Sequence, residues 1–291
     1  MSPRRISHKT SFSPLQTAIF RTVCYADVFA FPLTVDELLA GLITKKPVSH
    51  TAVERAIKTL PKVRLRVGYV CLRGHESIIA KRRSNLRYQT IKLASAHTIV
   101  KLIGWIPMIS AIFVTGSLAA HNAVASDDID VMIVTRPGWL WTTRAAVVLL
   151  SVAVGKYRTR STDHVNNMWC FNMWLDETAL KLPKSAQNLY TAHEVVQALP
   201  VLDKRGVAQW FLYENRWAKS FLANTAIEKP QRKPLADTTV SVFEGMFFVV
   251  QRWYMDSART IEKVGRHFAF FHPRQTRSTI MQSYEKKIGE K

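Results

Sequence analysis

Two aspartates one residue apart, Asp128 and Asp130, open the apolar run Val131-Met-Ile-Val134. Residues 118–127 separate them from Gly116-Ser117, which closes another apolar run, Ile109 to Thr115. In an extended strand positions i and i+2 project to one side, so the two carboxylates share a face while Ile129 turns inward. Like charges placed so are costly without a cation. Hard oxygen donors of this kind suit Mg²⁺, or Mn²⁺ in its place, held by a few carboxylates together with substrate phosphates. Such a centre would activate an attacking oxygen and stabilise the leaving pyrophosphate in an in-line displacement at the α-phosphate of a nucleoside triphosphate. The Gly-Ser turn runs from a strand into a short helix, Leu118 to Val124. Glycine lets backbone approach a ligand closely, and the turn amides and the Ser117 hydroxyl offer donors to phosphate. On this reading Asp128 and Asp130 are catalytic metal ligands, and Gly116 and Ser117 bind the nucleotide.

A Gly-Ser turn, a spacer, and Asp-x-Asp at the head of a strand, in that order, resemble the signature of the DNA polymerase β-like nucleotidyltransferase superfamily. The resemblance implies a third carboxylate on a neighbouring strand. Along Trp169-Cys-Phe-Asn-Met-Trp-Leu-Asp176, simple alternation puts Cys170, Asn172, Trp174 and Asp176 on one face. Asp176 is the only acid among them and is the expected third catalytic residue, although Asn172 holds the middle position where an acid is expected. Arg136, Arg144 and Lys156 are further candidates for triphosphate contact. The whole chain is also similar to uncharacterised bacterial proteins that join a winged-helix-like N-terminus to such a core, a resemblance that carries no substrate.

The elements that must position these residues can be read around them. Helical spacing of Leu15, Ile19 and Val23, a capping box at Thr34-Val-Asp-Glu37, and a third apolar stripe at Val53, Ile57 and Leu60 predict three helices. The alternating segment Val63 to Arg73 predicts a hairpin about Gly68. Three helices and a hairpin resemble a winged helix-turn-helix domain, which would give Arg55 and Lys58 on the third helix and Arg64 and Arg66 on the wing contact with nucleic acid. A connecting helix leads to Ile106-Pro107. Strand, turn, short helix, strand (Ile129 to Thr135), helix (Leu140 to Val154) and strand (Asn167 to Leu175) then predict a mixed sheet. Helical periods over Leu189 to Leu199, Val207 to Leu222 and Val240 to Val264 predict a helical last third. The expected class is α+β, with a winged-helix-like domain at 10–80, the nucleotidyltransferase core at 81–180 and a helical region at 181–291.

Charge bears on the partner. The 41 Lys and Arg against 21 Asp and Glu give a net +20, a field that attracts nucleotides and RNA or DNA and fades with salt. Three cysteines without CxxC spacing and nine scattered histidines argue against a disulfide framework and against zinc, and suit a reducing cytoplasm. The N-terminus has no apolar stretch behind its basic residues, so it does not read as a secretory signal. The longest apolar run, Ala145 to Val154, is too short to span a bilayer, so no membrane partner is expected. The function expected is Mg²⁺-dependent transfer of a nucleoside monophosphate from an NTP to a hydroxyl of RNA, protein or a small molecule. The alternative is a weakly active or inactive nucleotidyltransferase-fold regulator that binds nucleic acid.

Overall fold

A computed structural model describes residues 12–159, 162, 164–231, 242–256, 263–271 and 274–289. Its first region holds α1 (Pro14–Val28), β1 (Leu33–Thr34), α2 (Val35–Ala40), α3 (His50–Thr59), β2 (Val63–Arg66) and β3 (Tyr69–Leu72), with the strands ordered β1-β3-β2, all antiparallel. Local chemistry sets these boundaries. Pro14 needs no amide partner at the first helical position, and Ser13 and Gln16 satisfy each other's backbone donors. Thr34 and Glu37 form the same reciprocal pair at α2, at 2.8 and 3.2 Å. Glu37 also receives both terminal nitrogens of buried Arg82, at 2.6 and 2.7 Å, which ties this region to α4 (Ser77–Ile103).

The core of the first region is shared with later sequence. Leu189, Ala192, Leu222 and Tyr284 pack among Ile19, Leu38, Val53 and Val70. Buried Asp27 accepts from His75 Nδ1 at 2.8 Å and from Lys287 Nζ at 2.5 Å, which pins α10 (Arg274–Gly289) beside α1. The core built on residues 19–70 is therefore completed by side chains from 189–222 and from Tyr284.

The second sheet is mixed and six-stranded, in the order β7-β4-β5-β6-β9-β8. Its members are β4 (Ile109–Val114), β5 (Ile129–Thr135), β6 (Trp169–Asp176), β7 (Leu199–Asp203), β8 (Lys263–Gly265) and β9 (Phe268–Phe270). Only β5 and β6 run parallel, and α6 (Leu140–Ala153) joins them. Ile129, Val131 and Ile133 face a core built with α4, α6 and α9 (Val242–Asp256). Met132 and Val134 face the opposite core, covered by α7 (Leu189–Gln197) and α8 (Val207–Glu214). β4 and β5 are thus apolar on both faces, as interior strands must be.

The expected all-helical last third is corrected here, because residues 199–203 and 263–270 supply three strands and both edges of this sheet. These are short segments, and apolar runs of that length carry no decisive period. The helix expected over Val207 to Leu222 ends at Glu214 and continues as a 3₁₀ turn over 216–220. That expected over Val240 to Val264 spans Val242–Asp256, with Val264 in β8 and residues 240–241 and 257–262 outside the described set.

Candidate functional site

The acid pair sits where β4 and β5 lie side by side, at the end of β4 and the start of β5. The Thr115 amide donates to the Asp130 carbonyl at 2.9 Å, so the chain leaving β4 turns directly over Asp130. Gly116 follows with φ +61, and a Cβ there would lie 2.3 Å from Asp130 Oδ2. Glycine is required because the Asp130 carboxylate occupies the space a side chain would need.

Asp128, Asp130 and Cys170 converge, each offering a ligand atom within 4.8 Å of the others. Arg158 donates to Asp128 Oδ2. Burial works against the Arg158 charge, but Asp128 beside it outweighs that and holds its pKa above the usual arginine value. Cys170 stays a thiol: burial first, then Asp130 and Asp128, push its pKa far up. Asn172 Nδ2 donates to Asp130 Oδ1 at 2.6 Å, while the Oδ1 of the same amide is buried with no partner. Asn172 is 2% exposed, and an orphaned acceptor this deep is unusual. With two carboxylates and an uncommitted amide oxygen, the residues present fit a hard divalent cation. The thiol adds no soft ligand while protonated.

The helix at Ser117 is shorter than expected. α5 is a single turn, Gly116–Ala119, too short for a substantial helix dipole. The Ser117 hydroxyl donates to Asp127 Oδ2 at 2.6 Å, and the same oxygen takes the Val124 amide at 3.0 Å. Ser117 therefore closes the 117–127 loop from within.

Asp176 is not brought to the acid pair. The register is Asp130↔Cys170 but Met132↔Met173 and Thr135↔Asp176, so β6 carries one extra residue. Beyond this bulge the faces exchange: Phe171 and Trp174 share one core, Met173 and Leu175 the other. Trp174 and Asp176 thus leave the face that Cys170 and Asn172 share. Asp176 lies six residues beyond Cys170, about 20 Å along the strand. Its buried carboxylate accepts from the Thr178 amide at 2.9 Å and from His267 Nδ1 at 2.7 Å, and so fixes the turn after β6.

Several residues at the site carried no sequence signal. Lys92, fully buried on α4, donates to the carbonyl of Asp127 at 2.5 Å and to Asn167 Oδ1 at 3.1 Å. It thereby clamps the loop before β5 to the loop before β6. Burial lowers its pKa, partly offset by Asp127 and Asp128. From α7, Tyr190 bonds to Glu194. Burial, then Glu194, then Asp130 push the phenol's pKa up, so both charges act on this ring. The Lys92 contacts span 35 and 75 residues of sequence, where spacing patterns are silent. Arg144, a triphosphate candidate, is instead committed to Gln251 Oε1 at 2.5 Å and to the Phe271 ring, while Lys156 is exposed. Arg55, Lys58, Arg64 and Arg66 are all exposed on α3 and β2, with Arg64 Nε 3.7 Å from Glu76.

Comparison with protein-family models, with curated proteins and with solved structures returns no match for this chain.

Proposed function

We propose that the chain is a Mg²⁺-dependent nucleotidyltransferase of polymerase β-like type. The observation that carries this reading is the paired carboxylates at the head of β5, pressed against a glycine turn, with a buried amide oxygen left uncommitted beside them. Asp128 and Asp130 would hold the cation, and Asn172 would orient Asp130 and accept from a bound group. The bound cation supplies charge neutralisation for the triphosphate and for the departing pyrophosphate. The acceptor hydroxyl oxygen forms a bond to the α-phosphorus as the bond from α-phosphorus to the bridging oxygen breaks. Pyrophosphate leaves with that electron pair, and the hydroxyl proton passes to a carboxylate. Arg158 would move between Asp128 and phosphate as the cation binds.

The exposed cations of α3 and β2 favour a nucleic acid as the acceptor-bearing partner, in the manner of a winged helix. The test is Mg²⁺-dependent incorporation of label from α-³²P nucleoside triphosphates into RNA, protein or small-molecule fractions. Incorporation is expected for the native chain and lost in Asp128→Ala/Asp130→Ala, with Asp176→Asn unaffected. Incorporation that survives removal of both aspartates would refute the assignment. No incorporation, together with salt-sensitive nucleic-acid binding lost on Arg55→Ala/Lys58→Ala, would favour a non-catalytic regulator.

A further inference from the structure

α9 is amphipathic in the reverse of the usual sense. One face is docked largely through polar groups. The buried Glu244 carboxylate accepts from the Trp141 and Thr142 amides at 2.6 and 2.9 Å, at the N-terminus of α6, and Gln251 donates to the Trp141 carbonyl at 2.8 Å. Phe248 and Met255 accompany them inward. The outward face is apolar. Phe243, Met246, Val249, Val250, Trp253 and Tyr254 are each more than half exposed, with Trp253 at 77%. At 100° per residue these six fall within a 140° arc, a continuous stripe along the whole helix. Leu149 and Val152 of the adjoining α6 are exposed as well. Patches of roughly this size, several hundred Å², are seldom left facing water unless something covers them.

Charge decides among occupants. α6 contains Arg144 and no acid, and Arg252 on the flank of α9 and Lys156 beyond α6 are exposed. Glu244 is buried, and Asp256 is the final residue of α9. The chain carries +20 overall. A second copy of so basic a molecule is repelled, and an apolar stripe has nothing to offer a nucleic-acid backbone. A surface that is both negatively charged and apolar beneath matches the stripe and its surroundings, and tryptophan and tyrosine are the side chains that settle at such boundaries.

We infer that α9 docks the protein onto an anionic lipid bilayer, lying in the interface plane with Met246, Val250 and Trp253 inserted among the headgroups. No helix of the described residues is long and apolar enough to cross a membrane. The expectation of no membrane partner came from run length and signal-sequence features, which bear on crossing and export; surface seating is a separate property.

The test is co-sedimentation of the full chain with vesicles of phosphatidylcholine alone and of phosphatidylcholine with phosphatidylglycerol, in low and high salt. Binding is expected to the phosphatidylglycerol vesicles, weakened by salt. It should fall at least about tenfold in Val250→Ser/Trp253→Ser, whose lost apolar contact sets that factor, with circular dichroism unchanged because both positions are exposed. Three results would each overturn the proposal: no binding to phosphatidylglycerol vesicles, undiminished binding by the double variant, or a dimer in solution that the double variant dissociates without any vesicle affinity. Should the double variant lose its native circular dichroism, Met246→Ser alone carries the test, with weaker vesicle binding expected and unchanged binding overturning it.

Discussion

Gly116→Ala separates the backbone's demand for glycine from the site's demand for space. Placing an alanine at φ +61 costs about 1–2 kcal/mol for the left-handed conformation alone. The new methyl would also stand 2.3 Å from Asp130 Oδ2, with the Asp130 Cγ and Cβ at 3.2 and 3.3 Å. The whole side chain must therefore rotate. That loses the 2.6 Å bond from Asn172, adding about 1–2 kcal/mol, and carries one carboxylate away from the other. Gly206→Ala is the matched control: φ is +73, and an added Cβ meets nothing within 4 Å. Thermal denaturation should show both variants destabilised, Gly116→Ala by roughly 2–4 kcal/mol and Gly206→Ala by about 1–2 kcal/mol. Calorimetric titration with Mn²⁺ should show affinity reduced about 10–100-fold in Gly116→Ala only, the usual range for a displaced ligand environment. Equal metal affinity in the two variants would show that Asp130's position is not what Gly116 protects.

Other outcomes follow from buried groups. His193, stacked on Tyr25 at 4.3 Å, is pushed down by burial to about 4 from 6.5. The unfolded chain therefore binds a proton that the folded chain refuses, and stability should fall by about 3 kcal/mol as pH drops from about 6.5 to about 4, then level off. Urea titrations across that window should show this slope flattened in His193→Phe. Lys92→Met removes a charged donor from the two loops that meet at the acid pair. It should cost about 2–3 kcal/mol and weaken Mn²⁺ binding, read by the same titration, whereas a loss of stability with native metal affinity would make Lys92 purely structural. Asp176→Asn should lower the melting temperature by a few degrees yet leave metal affinity unchanged, because about 20 Å of strand separates it from Asp130. Glu244→Gln replaces a charged acceptor with an amide opposite two amide donors. It should cost about 2–3 kcal/mol and speed hydrogen exchange across α9 more than elsewhere.

What the sequence made legible was local. The capping box at Thr34, the three N-terminal helices, the hairpin, and β4 to β6 with their helices all follow from spacings within a dozen residues. The common face of Asp128 and Asp130 does too. Asp176 was misplaced by a single inserted residue: strand parity holds only while the register does, and the bulge between Cys170 and Met173 reverses it. The Gly116-Ser117 turn stands out in the sequence, but spacing alone does not mark that Gly116 makes room for Asp130 and that Ser117 donates to Asp127. Lys92 and Arg158 reach the site from other elements, and no local pattern marks such convergence. The edge strands were missed because segments of three to five residues look alike in helix and strand.

The arrangement of the central sheet also sets a timetable for its assembly. β6 is finished at residue 176, but β9, which covers its free edge, ends only at residue 270. At synthesis rates of roughly 5–20 residues per second, the nascent chain carries an uncovered, strongly apolar strand for something like 5–20 s, which invites edge-to-edge association. The same logic applies to a gene cut after residue 180. Such a fragment would keep the acid pair yet lose both flanking strands and the last helix that braces α1.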